Sequence, residues 1–295
     1  MRLLVTAMFV LAMGAHSNAQ DDLLKMLEEE AKPTTPDYAT ATFKTTRLIN
    51  GHSIENVAPG VLDFRISHRF GFVNTGIQEF FGLDQAYMRL GFDYGINERW
   101  MVGVGRSNFQ KQVDMFSKFK VLRQSTGLRK MPVTVSVMSS FIYNSSKFEN
   151  PARENFYTSK MFFAHQVLIG RKFSESLSFQ LMPTLVHYNL IQGTEIPNDL
   201  YSIGAGGRIK LSKRVSFNAE YYYQLPGNRL PDTYNSIALG FDIETGGHVF
   251  QLHFTNSTGM TERTYINETA GDFFNGDIHF GFNISRVFTI KDPRK

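Results

Sequence analysis

From residue 61 to the C-terminal end, apolar and polar residues alternate with a period of two, the signature of strands with two unlike faces. In Val61 to Gly71, Leu62, Phe64, Ile66 and Phe70 share one face with His68, and Asp63, Arg65, Ser67 and Arg69 take the other. In Ala86 to Ile96, Met88, Leu90, Phe92, Tyr94 and Ile96 oppose Arg89, Gly91, Asp93 and Gly95. Tyr201, Ile203, Ala205, Ile209 and Leu211 oppose Ser202, Gly204, Gly206, Arg208 and Lys210, and the last segment sets Ile278, Phe280, Phe282, Ile284 and Phe288 against Asp277, His279, Gly281, Asn283 and Ser285. The runs predict twelve strands, near 61–71, 86–96, 99–107, 112–123, 131–143, 160–171, 176–188, 200–211, 214–224, 235–244, 248–256 and 276–290. In 131–143 and 160–171 the faces are less cleanly separated.

The connections alternate in length. Short turns fall at Asn97-Glu98, Phe173 to Glu175, Ser212-Lys213 and Thr245 to Gly247, with a modest one at Ser125 to Lys130. Longer loops fall at Phe72 to Gln85, Asn144 to Ser159, Asn189 to Asp199, Leu225 to Tyr234 and Ser257 to Asn275, and Asn108 to Lys111 is the one short link among them. An even strand number, alternating strands of about 10 residues, short inner turns and longer outer loops describe an outer-membrane barrel. The expected fold is all-β: an antiparallel, up-and-down transmembrane β-barrel of about 12 strands, with both ends in the periplasm. A soluble β-sandwich is the rival, because alternation alone does not say which face meets solvent. Glycine mixed with charge on the polar face suits a lumen. Aromatics near strand ends (Phe70, Tyr94, Trp100, Phe141, Tyr143, Tyr188, Tyr201, Tyr221, Tyr223 and Phe288) suit membrane interfaces.

Before the strands, residues 1–19 read as a signal peptide: Arg2, an apolar run from Leu3 to Ala12, and Ser17-Asn18-Ala19 at a cleavage site. Residues 20–60 form a periplasmic leader with a short amphipathic helix at Asp21 to Lys32, stopped by Pro33 and Pro36. A strand at 41–49 would make the number odd, so residues 41–60 are expected in the periplasm or folded into the barrel as a mouth or plug segment. The barrel domain then runs over 61–295. The 295 residues are 42% hydrophobic and contain 31 Lys and Arg, 27 Asp and Glu and no Cys. A disulfide framework, thiolate metal site, Cys nucleophile and Cys-borne lipid anchor are thereby excluded. The small, evenly spread net charge gives no reason to expect nucleic acid.

The strings "TTRLINGHSIENVAPGVLDFRISHRFG", "GFDYGINERWMVGVGRS", "GHVFQLHFTNS" and "FGFNISRVFTI" resemble a Bacteroidota family of outer-membrane β-barrel proteins catalogued as a barrel domain of unknown function. The resemblance runs from about Phe43 to Ile290 and implies an outer-membrane location, but no activity and no catalytic residues. Lys291 to Lys295 departs from it by extending past the last apolar position, leaving Phe288 or Ile290 for recognition by the barrel-assembly machinery.

No metalloprotease, P-loop, nucleophile-elbow or C-x-x-C motif occurs, and no cofactor is expected. A symmetric register across Ser257 to Asn275 would set His253 opposite His279 and Thr255 opposite Asp277, close enough for two imidazoles to share a metal. A third ligand is lacking, so an ordinary polar pair is the expectation. His68 and His187 face outward without an obvious same-face Ser and acid, so no enzyme is expected.

The lumen candidates are Arg65, Arg69, Arg89, Asp93, Lys118, Arg208, Glu220, Asp242, His253 and His279. The same face carries Lys120, Lys210, Asp63, Asp114, Glu244 and Asp277. Their signs balance, which disfavours a strongly ion-selective pore. The expected role is passage or binding of a small solute through a polar lumen, with outer-membrane lipid around the barrel. The alternative is a closed structural barrel whose charges cross-link into a plug, acting through Asn144 to Ser159 and Ser257 to Asn275 or through a periplasmic partner at Asp21 to Lys32.

Overall fold

The computed structural model describes residues 35–148, 151–152, 154–191 and 195–291. The expected signal peptide and the helix expected at Asp21 to Lys32 lie outside these residues. The chain divides into two units. The smaller contains a two-stranded antiparallel sheet of β1 (Pro36–Tyr38) and β6 (Ser125–Gly127), with Pro36 opposite Gly127 and Tyr38 opposite Ser125.

The larger unit, Thr40–Arg123 with Val133–Lys295, is a closed antiparallel barrel of twelve strands. They are β2 (Val61–Phe72), β3 (Ala86–Gly95), β4 (Trp100–Ser107), β5 (Gln112–Leu122), β7 (Thr134–Asn144) and β8 (Met161–Lys172), followed by β9 (Leu177–Tyr188), β10 (Asp199–Lys210), β11 (Val215–Gln224), β12 (Ser236–Thr245), β13 (His248–Thr255) and β14 (His279–Thr289). β14 closes on β2, with Ile284 opposite Ile66 and a register shift between His279 and Gly281. The expected strands are therefore present, displaced at their ends by at most about three residues.

The buried set of each strand is the inward set. In β10 the alternation buries Leu200, Ser202, Gly204, Gly206 and Arg208 and leaves Tyr201 and Ile203 exposed. An exterior of exposed Phe92, Val104, Met115, Phe119, Val137, Phe179, Phe241 and Leu252 is what a lipid-facing band requires. Tyr188, expected in the aromatic belt, points inward instead. It is buried at the end of β9 against Phe162, ring centroids 5.1 Å apart.

The inner wall is not uniformly polar. β7, β8 and β9 turn Met138, Ile142, Ala164, Leu168, Met182 and Val186 inward. These residues need apolar partners inside the barrel, and the chain supplies them from two directions. Residues 41–57 enter at the short-turn end. The loop after β13 enters at the long-loop end and carries a helix, α1 (Glu262–Asn267), of which every residue is buried. Phe43, Leu48 and Ile54 meet Tyr265 and Ile266 in one cluster with Leu168, Met182 and Tyr222 of the wall.

Residues 42–57 lie mostly buried within the barrel, in the manner of a plug, while Ala41 and Ala58 are exposed. One expectation changes as a result. Ser257 to Asn275, read as an outer interaction loop, has most of its first half inside the lumen, where Ser257, Thr261, Thr264, Asn267 and Thr269 are all buried.

Candidate functional site: the occupied lumen

The entering segment folds back on itself around Asn50-Gly51, a pair suited to a tight turn. Arg47 bridges His52, Leu48 N–H donates to the Gly51 carbonyl at 2.8 Å, and Ser53 N–H donates to the Thr46 carbonyl at 3.0 Å. Three N–H groups at the tip are left pointing outward, and Glu220 of β11 takes all of them. Its carboxylate accepts from Ile49 at 3.1 Å, Asn50 at 2.8 Å and Gly51 at 3.2 Å.

The rest of the turn is held in the same manner. Gln180 accepts from Ile54 N–H and donates to the His52 carbonyl, each at 2.8 Å. Lys118 donates to the carbonyls of Ser53 and Glu55 at 2.8 and 2.5 Å. Asn283 donates to the Ile49 carbonyl at 3.1 Å, Arg208 to the Ala41 carbonyl at 2.9 Å, and Gln251 to the Leu48 carbonyl.

Side-chain contacts are fewer. Arg47 pairs with Asp93 at 3.2 Å, and Thr46 also donates to Asp93, at 3.1 Å. Arg65 reaches Thr46 and Asp63 at 3.0 and 3.2 Å. Arg69 donates to Asn50 at 2.7 Å and to Asn283 at 3.2 Å. Where the hairpin crosses the wall, inward glycines make room for it. A Cβ on Gly206 would lie 2.7 Å from Leu48 Cδ1, and one on Gly170 2.8 Å from Ile54 Cδ1.

Arg89 forks onto Asp114, with Nε 2.9 Å from Oδ1 and Nη2 on Oδ2. The guanidinium lies across Gly91 and Gly105, and a Cβ at Gly105 would fall 2.2 Å from Nη2. Gly105→Val should therefore separate Arg89 from Asp114 and leave a buried charge unpaired, at a cost of about 3–5 kcal/mol. The readout is a lower temperature for loss of the compact barrel on heat-modified electrophoresis. Gly247→Val, in an open turn with nothing within 4 Å, should leave that temperature unchanged.

All ten lumen candidates lie on the inward face and are buried: Arg65, Arg69, Arg89, Asp93, Lys118, Arg208, Glu220, Asp242, His253 and His279. Asp242 accepts from Gln251 at 2.6 Å. The two histidines do not meet as the symmetric register required. His253 stands opposite Gly281, and His279 opposite Thr255. The intervening loop is not a symmetric hairpin, because its first half carries α1 into the lumen. Asp277, outside β14, caps the loop by accepting from Asp272 N–H at 3.0 Å and from Asn74 at 2.6 Å. His279 is occupied by the Phe70 carbonyl and Thr258, at 2.7 and 2.8 Å. Among the described residues no group of three or more metal-ligating side chains is assembled.

Sequence reasoning missed α1. Glu262 lies 3.3 Å from His52 and accepts from Ser140 at 3.1 Å, and Arg263 sits over the Phe162 ring at 3.8 Å and pairs with Glu268 at 2.6 Å. The signal that was available is Thr261, with Thr264 three residues on, which form a reciprocal cap. Also missed was an outward pair, Ser139 Oγ and His165 Nδ1 at 2.9 Å. It sits at mid-strand, and no acidic side chain among the described residues bonds the ring's other nitrogen, so a nucleophile–base–acid constellation is not formed.

Residues 43–288 match a family described as a membrane bound beta barrel domain, DUF5777. The chain belongs to this family. No curated protein matches it. Among solved structures, the NanC porin is similar at 11% identity over 77% of this chain and 98% of that one, with a TM-score of 0.48. The KdgM porin is similar at 8% identity over 77% and 99%, with a TM-score of 0.46. The translocator domain of autotransporter NalP from Neisseria meningitidis is similar at 11% identity over 95% and 97%, with a TM-score of 0.36. As a DUF5777 member the chain is a membrane-bound β-barrel, and the filled lumen is its distinctive site. A cavity of about 480 Å³ remains at the short-turn mouth, lined among others by Phe43, Lys44, Glu55, Glu244 and His248.

Proposed function

We propose that the protein is an outer-membrane barrel, short turns in the periplasm, that is closed at rest and admits small polar solutes when the 41–57 hairpin withdraws. The observation that carries this reading is the way the lumen is filled. A permanently closed barrel would be at least as stable with apolar packing throughout, because buried ion pairs roughly break even against hydrophobic groups of the same volume. Here half of the wall keeps Arg65, Arg69, Arg89, Asp93, Lys118, Arg208 and Glu220, each engaged with the hairpin or a neighbouring wall residue. Those groups would line a wet passage once the hairpin leaves. Outer-membrane lipid and the assembly machinery are the expected surroundings, and no catalytic step is proposed.

The test is conductance in a planar bilayer. The intact protein should insert and stay silent for most of the recording, with rare openings. Neutralising Arg208 or Lys118, which hold hairpin carbonyls, should raise the frequency of openings roughly tenfold, the effect of about 1.4 kcal/mol on an equilibrium. Continuous large conductance from the intact protein, or silence in every variant, would reject the reading.

A further inference from the structure

The outward polar pair on the barrel wall has a third member. Ser117 of β5 stands opposite Ser139 of β7, and Ser139 stands opposite His165 of β8, so the three form one row across adjacent strands. All three are exposed on the lipid-facing side, near the middle of their strands. Their outward neighbours along those strands are apolar: Met115, Phe119, Val137, Phe141, Phe163 and Val167. Val102 and Leu185 end the row in the flanking strands.

The row is only partly satisfied. Trp100 Nε1 donates to Ser117 Oγ at 2.9 Å, and Ser139 Oγ bonds His165 Nδ1, also at 2.9 Å. Among the described residues, the Ser117 hydroxyl proton has no acceptor and His165 Nε2 has no partner. Hydrocarbon supplies neither, and polar groups left unmet there are costly. The surface beside the row is also hollowed. Ser117 and Ser139 lie with Phe92, Phe141 and Phe163 around a depression of about 590 Å³. A second, of about 440 Å³, is lined by Val167, Pro183 and Tyr201, and His165 borders both.

Apolar surface does not by itself bring membrane proteins together, because lipid chains cover it equally well. Close packing and hydrogen bonds across the interface do. An acyl chain would fill the hollows and leave both polar groups unmet. A second copy of this chain brings the groups that are missing, since a hydroxyl and an imidazole nitrogen each donate or accept according to where the proton sits. A two-fold axis along the membrane normal, beside Ser139 at the middle of the row, sets the two rows across one another. The His165 ring of each copy then comes over the Ser117 hollow of the other. Such an interface is isologous and closes as a dimer.

We propose that Ser117, Ser139 and His165 form the centre of a homodimer interface within the membrane. The inference stands apart from the passage reading, because it concerns the outer wall and leaves the lumen unchanged.

The experiment uses the full chain refolded into liposomes over a series of protein-to-lipid ratios. The sequence has no cysteine, so donor and acceptor dyes go on separate copies at Gly247→Cys, in the open turn. Energy transfer should rise with protein density and saturate at the level for pairs. Ser139→Leu combined with His165→Leu suits a lipid-facing wall, so this variant should keep the compact barrel on heat-modified electrophoresis. It should need at least tenfold more protein per lipid for half-maximal transfer. A short bismaleimide should join copies at Val137→Cys, beside the row, and leave Leu252→Cys, exposed on β13 across the barrel, unjoined.

Transfer no greater than chance encounter at every density would overturn the proposal and leave lipid alone covering the row. Equal dimerisation of the double leucine variant would overturn the role of the polar row. Joining at Leu252→Cys as readily as at Val137→Cys would place the contact elsewhere and overturn it too.

Discussion

Glu220→Ala is expected to convert a silent barrel into one that spends a substantial fraction of its time open. The carboxylate accepts from three backbone N–H groups at the tip of the hairpin, inside the barrel and away from water. Hydrogen bonds to a charged acceptor contribute about 1.5–3 kcal/mol each, and the three are not additive because they share one group. Alanine also leaves the donors unpaired, so the docked hairpin should lose about 3–4 kcal/mol. On a two-state equilibrium this raises the open population by roughly two to three orders of magnitude. Two measurements check it on one preparation: open probability in a planar bilayer, and cleavage of residues 41–57 by a soluble protease. Both should rise in parallel. Glu244→Ala serves as the control, since its carboxylate is about half exposed at the mouth, where it pairs with Lys44. It should change opening less than threefold, as exposed pairs contribute at most about 1 kcal/mol. If Glu220→Ala stays silent and protease-resistant, the hairpin is not a removable element.

The period-two pattern made the barrel legible because a strand with lipid on one side and lumen on the other cannot avoid alternating. Leu62 to Phe70 and Tyr201 to Leu211 show this without ambiguity, and loop lengths supplied the topology. Local pattern carried less about what fills the lumen. Residues 41–57 offered only a short strand-like run at 41–49, and the pattern could not place it, since their hydrogen bonds go mainly to wall side chains distant in sequence, such as Glu220 and Gln180. α1 is too short for periodicity to register. Its burial depends on inward Leu168 and Met182, and Leu168 lies in 160–171, one of the two strands whose faces the pattern left unclear. Inward glycines were visible, mixed with charge, as the mark of a lumen face. Their purpose emerges only when Leu48 and Ile54 stand over Gly206 and Gly170. The His253–His279 register failed for a related reason: symmetric pairing assumes a loop that stays outside.

The second large effect is expected from the other end of the lumen. Tyr265 of α1 is fully buried and packs edge-on against Tyr222, with ring centroids 5.2 Å apart, in the cluster that also takes in Leu48 and Ile54. Tyr265→Ala removes a large side chain from a site the barrel wall cannot collapse to fill, at a cost of about 3–5 kcal/mol. Part of that loss falls on the hairpin, because α1 and the hairpin lean on one another through this cluster and through the 3.3 Å approach of His52 and Glu262. Tyr265→Ala alone should therefore raise open probability, although it lies on the long-loop arm and touches none of the Glu220 bonds. Combining it with Glu220→Ala should give less than the sum of the two free-energy changes, by about 1 kcal/mol, as groups sharing partners usually do. A double-mutant cycle on open probability measures the shortfall. Strict additivity would mean that the two insertions close the lumen independently, and withdrawal of the hairpin would then leave α1 still blocking the path.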